Sequence, residues 1–257
     1  MSKFIDRLNK LSRGETQTMG FTSRQTASPK PKIQLVARLA AESAESLSGH
    51  LAGADAGLLG ISKSASCSET LQTLSKSLPD VIWGGWLQGG SGAEIKNLTE
   101  AGFDFIAFSA NSTLTVKKDA DKTGRMLELD ASLSDGLLRT VNGLLVDAVL
   151  ITGEGKENQA LTWQRMMIIR RLADSLTKPL LVPVSSQVTS VELEALWEAG
   201  IDAVVIEIDA KQPEDRLMKL RQEVNKTEFS SRRSRRADTL VPRTGQPSGK
   251  KADEEDE

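Results

Sequence analysis

Apolar residues along this chain gather in short runs bounded by turn residues, and the runs alternate with stretches in which apolar positions recur at helical spacing. Four runs follow one entry: "LAGADAGLLGIS" from Leu51, "LTEAGFDFIAFSA" from Leu98, "VNGLLVDAVLITG" from Val141 and "LWEAGIDAVVIEI" from Leu196. In each, a helix-like end passes through a turn, usually with glycine, to an aspartate (Asp55, Asp104, Asp147, Asp202) and then to a mostly apolar run. That is how a helix C-cap feeds a buried strand. The aspartates are about 43 to 55 residues apart, which suits two strand–helix units rather than one, so a further strand is expected between each pair. Suitable runs stand there: "KIQLVARLA" from Lys32, "DVIWGGWL" from Asp80, "RMLELDAS" from Arg125 and "PLLVPVSS" from Pro179.

Helices are predicted over "SETLQTLSKSL", "GAEIKNLTEAG", "SDGLLRTVNGL", "ENQALTWQRMMIIRRLADSLTK" and "TSVELEALWEAG", where residues such as Leu193, Leu196 and Trp197 share one face. Eight strands alternating with helices over a span of roughly 200 residues predict a parallel α/β fold closed as a (βα)8 TIM barrel. An open doubly wound sheet is the alternative, because strand count alone does not establish closure. Residues 1–30 read as a short helix, with Phe4, Ile5, Leu8 and Leu11 on one face to cap the lower mouth, followed by a polar lead-in. The barrel is expected over 31–229. Residues 230–257 pass from a basic block to an acidic end without hydrophobic period and are expected to be a disordered tail. Its cluster Arg232, Arg233, Arg235 and Arg236 reads as solvated rather than as a nucleic-acid contact.

Composition narrows the chemistry. A net charge of -2 advertises neither a nucleic-acid nor a membrane partner, and no run approaches the roughly 20 apolar residues of a membrane span. The first segment lacks the apolar core of a signal peptide. A single cysteine, Cys67, excludes an internal disulfide and fits a reducing compartment, so a soluble cytoplasmic protein is expected. There is no tyrosine, and the sole histidine is His50, beside a predicted helix end where it would help satisfy carbonyls. A histidine-cluster metal site is excluded, and no nucleophile signature accompanies His50. Carboxylates, lysine, arginine, serine or a bound cofactor must carry any chemistry.

Strand alternation then selects side chains. If Leu127, Leu129 and Ala131 face the helices, Glu128 and Asp130 turn into the barrel. Likewise Val205, Glu207 and Asp209 point inward on strand eight, Gln34, Val36 and Arg38 on strand one, and Leu150, Thr152 and Glu154 on strand six. Strands one and eight adjoin in a closed barrel, so Arg38 can pair with Glu207. Glu128, Asp130, Arg38 and Glu207 are the catalytic candidates; a polar network that merely fills the interior is the competing account. Lys63 and Lys156 follow strands two and six, where a lysine of lowered pKa can form a Schiff base, although both lie in polar loops.

The stretch "WGGWLQGGSG" ends strand three at the rim that carries active sites in such barrels. Gly89, Gly90 and Gly92 would let backbone approach an anionic or planar ligand at a helix N-terminus, with Trp83 or Trp86 as stacking face. The stretch lacks a Walker lysine and the G-x-G-x-x-G spacing, so it is not a nucleotide fingerprint.

The strand order and the A-G-x-D-A entry to strand eight, Ala199 to Ala203, resemble the broad phosphate-binding group of (βα)8 barrels over about residues 32–228. That resemblance implies glycine-bearing phosphate turns after strands seven and eight. Here "SSQVTS", beginning with Ser185 and Ser186, and "EIDAK" lack those glycines, and Glu207 and Asp209 put negative charge where an anion would sit. Ser185 and Ser186 are retained as ligand contacts. Two functions compete: an enzyme (lyase, isomerase or flavin-type oxidoreductase) using carboxylate acid–base chemistry on a small anionic or phosphorylated molecule, and a non-catalytic barrel binding a ligand or protein. The cofactor is unknown, with flavin and divalent cation both open. A small-molecule ligand is the expected partner, and a homo-oligomer is allowed.

Overall fold

The computed structural model describes residues 2–13, 32–44, 46–61, 67–87, 92–113, 122–152 and 160–230. Eight parallel strands close on themselves in chain order: β1 (Gln34–Ala40), β2 (Ala56–Ile61), β3 (Ile82–Leu87), β4 (Phe105–Ser109), β5 (Gly124–Asp130), β6 (Ala148–Thr152), β7 (Leu180–Val184) and β8 (Ala203–Glu207). Closure is made by β1 on β8, with Gln34 opposite Ala203 and Arg38 opposite Glu207. The (βα)8 expectation holds and the open sheet does not.

Helix α1 (Lys3–Arg13) precedes the barrel, and α2 (Cys67–Ser77), α3 (Gly92–Ala101), α4 (Asp135–Val141), α5 (Trp163–Ser175), α6 (Ser190–Ala199) and α7 (Arg216–Lys226) surround it. Between β1 and β2 two short 3₁₀ turns replace a helix, and among the described residues none lies between β4 and β5. Helix α7 is absent from the elements predicted by pattern, although its buried Leu217, Leu220 and Val224 recur at helical spacing. The tail beyond 230, Lys63, Glu154 and Lys156 lie outside the described residues. No described helix is long and apolar enough to cross a membrane.

Two apolar clusters separate the wall into an outer and an inner side. Leu35, Leu59, Ile106, Leu127, Val149 and Val204 belong to the cluster beneath the helices. Val36, Leu58, Phe105, Met126, Leu150 and Val205 fill the barrel together with Phe4, Ile5 and Leu8 of α1. The one-in, one-out alternation of a strand produces this division directly.

The glycine pair of "WGGW" lies inside β3 and serves packing. Gly84 faces Phe105, whose ring would be 2.2 Å from an added Cβ, while the indole of Trp83 would be 2.3 Å from a Cβ on Gly57. Each aromatic ring therefore lies flat over a position that only glycine leaves open.

The four-part repeat is a structural device at the lower, N-terminal end. Gly53, Gly102 and Gly200 adopt φ of 98°, 98° and 104°, a left-handed turn that glycine enters without a Cβ clash. Two residues later comes the aspartate. Asp55, Asp147 and Asp202 each accept a hydrogen bond from the backbone N–H of the preceding odd strand, at Leu35, Arg125 and Leu180 respectively (2.7, 2.8 and 2.9 Å). Their own N–H groups return to the carbonyls of the same three residues. Asp104 departs from this pattern. Its N–H donates to Trp83, but its carboxylate receives the Ser2 hydroxyl and the N–H groups of Lys3 and Phe4. The second copy of the repeat thus caps α1 and holds that helix against the barrel floor.

Candidate functional site

At the upper, C-terminal rim the inward positions carry Arg38 on β1, Gly60 on β2, Trp86 on β3, Ser109 on β4, Glu128 on β5, Thr152 on β6 and Glu207 on β8. The Arg38 guanidinium carbon lies 3.8 Å from the centroid of the Trp86 ring. The indole Nε1–H of Trp86 donates to Glu128 Oε2 at 2.9 Å. A cation, an aromatic plane and a carboxylate therefore form one chain of contacts across the mouth, from β1 to β5.

Small residues on the intervening strands make the reach feasible. Trp86 is in register with Gly60 on one side and Ala107 on the other, so nothing bulky stands between β1 and β3 or between β3 and β5. Trp86 is 5% exposed, which fixes its ring, whereas Arg38 and Glu128 are half-buried and reach the opening. A guanidinium stacked on an aromatic face meets its other partners through its N–H edge. The second oxygen of Glu128 has no hydrogen-bond partner among the described residues.

The remaining predicted residues are distributed around this centre. Glu207 is exposed and stands directly opposite Arg38 on the neighbouring strand. Asp130 is exposed at the end of β5, and its Oδ1 accepts the Ser132 N–H at 2.8 Å. Hydrogen bonds from the Ser132 hydroxyl and then from its backbone N–H hold the Asp130 pKa below the ordinary aspartate value, so this carboxylate is a firm anion engaged in its own turn. Ser185 and Ser186 lie in the turn from β7 to α6, where the Ser185 hydroxyl accepts the Gln187 N–H and the Ser186 carbonyl accepts from Arg216. Gly92 opens α3, while Gly89 and Gly90 lie outside the described residues. Of the two tryptophans offered as a stacking face, Trp86 is inside the barrel and Trp83 belongs to the outer cluster.

Three arginines escaped the sequence reading. Arg216 donates to the carbonyls of Ser186 and Val188 and pins the β7–α6 turn from α7. Arg221 binds Asp55 and the Gly53 carbonyl, and burial pulls its pKa down to about 10, outweighing the pairing but leaving it charged at neutral pH. Arg165, in the first turn of α5, donates to the Pro183 carbonyl. The single histidine also acts at a distance: the contact of His50 Nε2 is the carbonyl of Gln212, in the loop after β8, at 3.1 Å.

Fold and site together define a closed (βα)8 barrel with a charged, aromatic-floored mouth. No protein-family model and no curated protein sequence matches the chain. Solved structures match it in shape. A thiamine phosphate pyrophosphorylase from Pyrococcus furiosus is similar at TM-score 0.52 and 13% identity, over 75% of this chain and 96% of its own. A mutant tryptophan synthase alpha-subunit from the same organism gives 0.53 at 13% identity, over 76% and 97%. A native KDPGal structure gives 0.51 at 15%, over 79% and 95%. At such identities the likeness establishes the barrel fold and nothing finer.

Proposed function

We propose that the barrel mouth binds a small anionic molecule and moves a proton on it, with Arg38 holding the negative charge, Trp86 forming the floor and Glu128 acting as acid or base. The observation that carries this reading is the contact chain Arg38–Trp86–Glu128, in which a cation and a carboxylate are oriented by one buried indole. Proton transfer next to a carboxylate or carbonyl is the shared step of lyases and isomerases, and it needs this pairing of anion clamp and base. The similarly shaped solved proteins named as a synthase subunit and a pyrophosphorylase support an enzyme by analogy of fold.

A singly charged carboxylate suits the mouth better than a phosphate ester, because exposed Glu207 and Asp209 on the β8 side repel a dianion. Glu207 in this reading limits the charge of the ligand, and Asp130 serves the turn after β5. The setting is cytoplasmic, where a lone Cys67 stays reduced.

The first experiment is native mass spectrometry with an absorbance scan on undialysed protein, which is expected to reveal a bound small anion; a flavin spectrum would move the reading to the oxidoreductase branch. With that ligand in hand, Glu128→Gln is expected to lower turnover about 10²- to 10⁴-fold while retaining binding, and Arg38→Met to weaken binding. Unchanged turnover and affinity in both variants would remove the mouth from consideration. Loss of binding without any measurable turnover in the parent protein would instead favour the non-catalytic barrel.

A further inference from the structure

Behind β7, on the helix side of the wall rather than in the mouth, a cavity of about 260 Å³ opens between α5 and α6. Its apolar walls are Leu161, Val184, Val188 and Leu196. Its polar groups are Arg165 from the first turn of α5, with Ser185, Gln187, Thr189 and Glu192 from the β7–α6 turn and the start of α6.

Arg165 is the anomaly here. It is half-buried, and the carbonyl of Pro183 is the one acceptor its guanidinium has among the described residues, with no carboxylate in ion-pair range. Desolvation draws its pKa below the usual arginine value, although a guanidinium stays charged. A partly desolvated cation that spends one of five N–H groups on a neutral oxygen and faces an open cavity is arranged to receive an anion. Glu192 limits which anion. Its Oε2 takes both the backbone N–H and the hydroxyl of Thr189 in a capping box, and the carboxylate lines the same cavity. A dianion such as phosphate would meet that carboxylate, whereas a single charge can stay at the Arg165 end. The volume equals that of about nine waters and falls below the roughly 300–1,000 Å³ of drug-sized pockets.

We propose that this cavity is a binding site for a small monocarboxylate with an apolar body, its carboxylate on Arg165 and its hydrocarbon against Leu161, Val184, Val188 and Leu196. The site is separate from the proposed proton-transfer centre, and its occupant would join α5 to the turn that Arg216 holds from the other side.

The test is isothermal titration calorimetry of the full chain with hexanoate, using hexanol and inorganic phosphate as controls for the missing charge and the missing hydrocarbon. Hexanoate is expected to saturate a site that persists in Arg38→Met, and the controls none. Arg165→Met, which keeps the packing of the side-chain stem, is expected to weaken hexanoate binding about tenfold or more. Glu192→Gln retains the capping box, since glutamine serves there as well, and is expected to tighten binding by removing the like charge. Ala160→Trp at the exposed lip of the cavity is expected to abolish binding without lowering Tm, which guards against Arg165→Met failing to fold. Absence of hexanoate binding, equal binding by the Arg165→Met or Ala160→Trp proteins, or weaker binding in Glu192→Gln overturns the proposal. So does loss of hexanoate binding in Arg38→Met, which would assign it to the mouth; unchanged binding there supports a separate site.

Discussion

Trp86 gives two neighbours their orientation at once, Arg38 through its face and Glu128 through its edge. Trp86→Phe keeps a face for the guanidinium and deletes the N–H. Turnover of the co-purified ligand is therefore expected to fall about tenfold or more, with a smaller change in affinity, as read from kcat against KM. Strand alternation made Arg38 and Glu128 legible, because polar side chains at the inward positions of otherwise apolar strands have few other destinations. It could not register the competitor for Asp130. A serine two residues on captures that carboxylate in a local turn, and the D-A-S spacing from Asp130 to Ser132 was the available signal. Since the folded pKa of Asp130 is depressed, its contribution to stability is present above the unfolded aspartate value and is lost as pH falls through the folded one. Ser132→Ala should raise the Asp130 pKa in an NMR titration and shrink the acid-side stability difference in urea unfolding. An unchanged titration would break this account. Arg165 was illegible for another reason: an arginine in the first turn of a helix ordinarily reads as solvated, and its burial depends on how α5 meets β7.

At the scale of elements, the aspartate entry is a latch joining adjacent strands, and its sequence signal was plain at Asp55 and Asp202, where a left-handed turn needs glycine two residues earlier. Burial grades the latches. Asp202 is fully buried, so Asp202→Ala leaves the Leu180 N–H inside the protein without its carboxylate, at a cost of about 1–3 kcal/mol. Asp147 is exposed, and water can replace it at the Arg125 N–H, so Asp147→Ala should cost less in denaturant unfolding. Equal losses would mean that the latch works through charge rather than burial. The different use of the second copy was not legible, since the partner of Asp104 is the chain's own beginning, 100 to 102 residues away. Helix α7 escaped notice because its three buried residues are spread through "RLMKLRQEVNK", whose charged residues dominate a linear reading.

For the whole molecule, closure depends on small side chains at a few crossings and on α1 at the lower end. Phe4 stacks on Phe105 with centroids 4.7 Å apart, and Phe4 and Leu8 are fully buried. Gly124, at the start of β5, leaves room for this helix: an added Cβ would come within 2.4 Å of Ile5 Cγ1 and 2.9 Å of Ser2. Gly124→Ala is expected to destabilise by about 1–3 kcal/mol and to make the α1 segment an early site of limited proteolysis. A protein as stable and as resistant as the parent would mean that α1 adjusts without loss. The amphipathic stripe foretold the cap, while the glycine that admits it became intelligible only with the helix in place.

A barrel stoppered in this way is a cul-de-sac. Whatever enters by the mouth must back out through the same doorway, so an incoming molecule waits for the outgoing one, and solvent protons share their route with both. If Glu128 drives turnover there, the product competes with its own precursor for the threshold, and competitive product inhibition follows from the stopper before any detail of the chemistry is known.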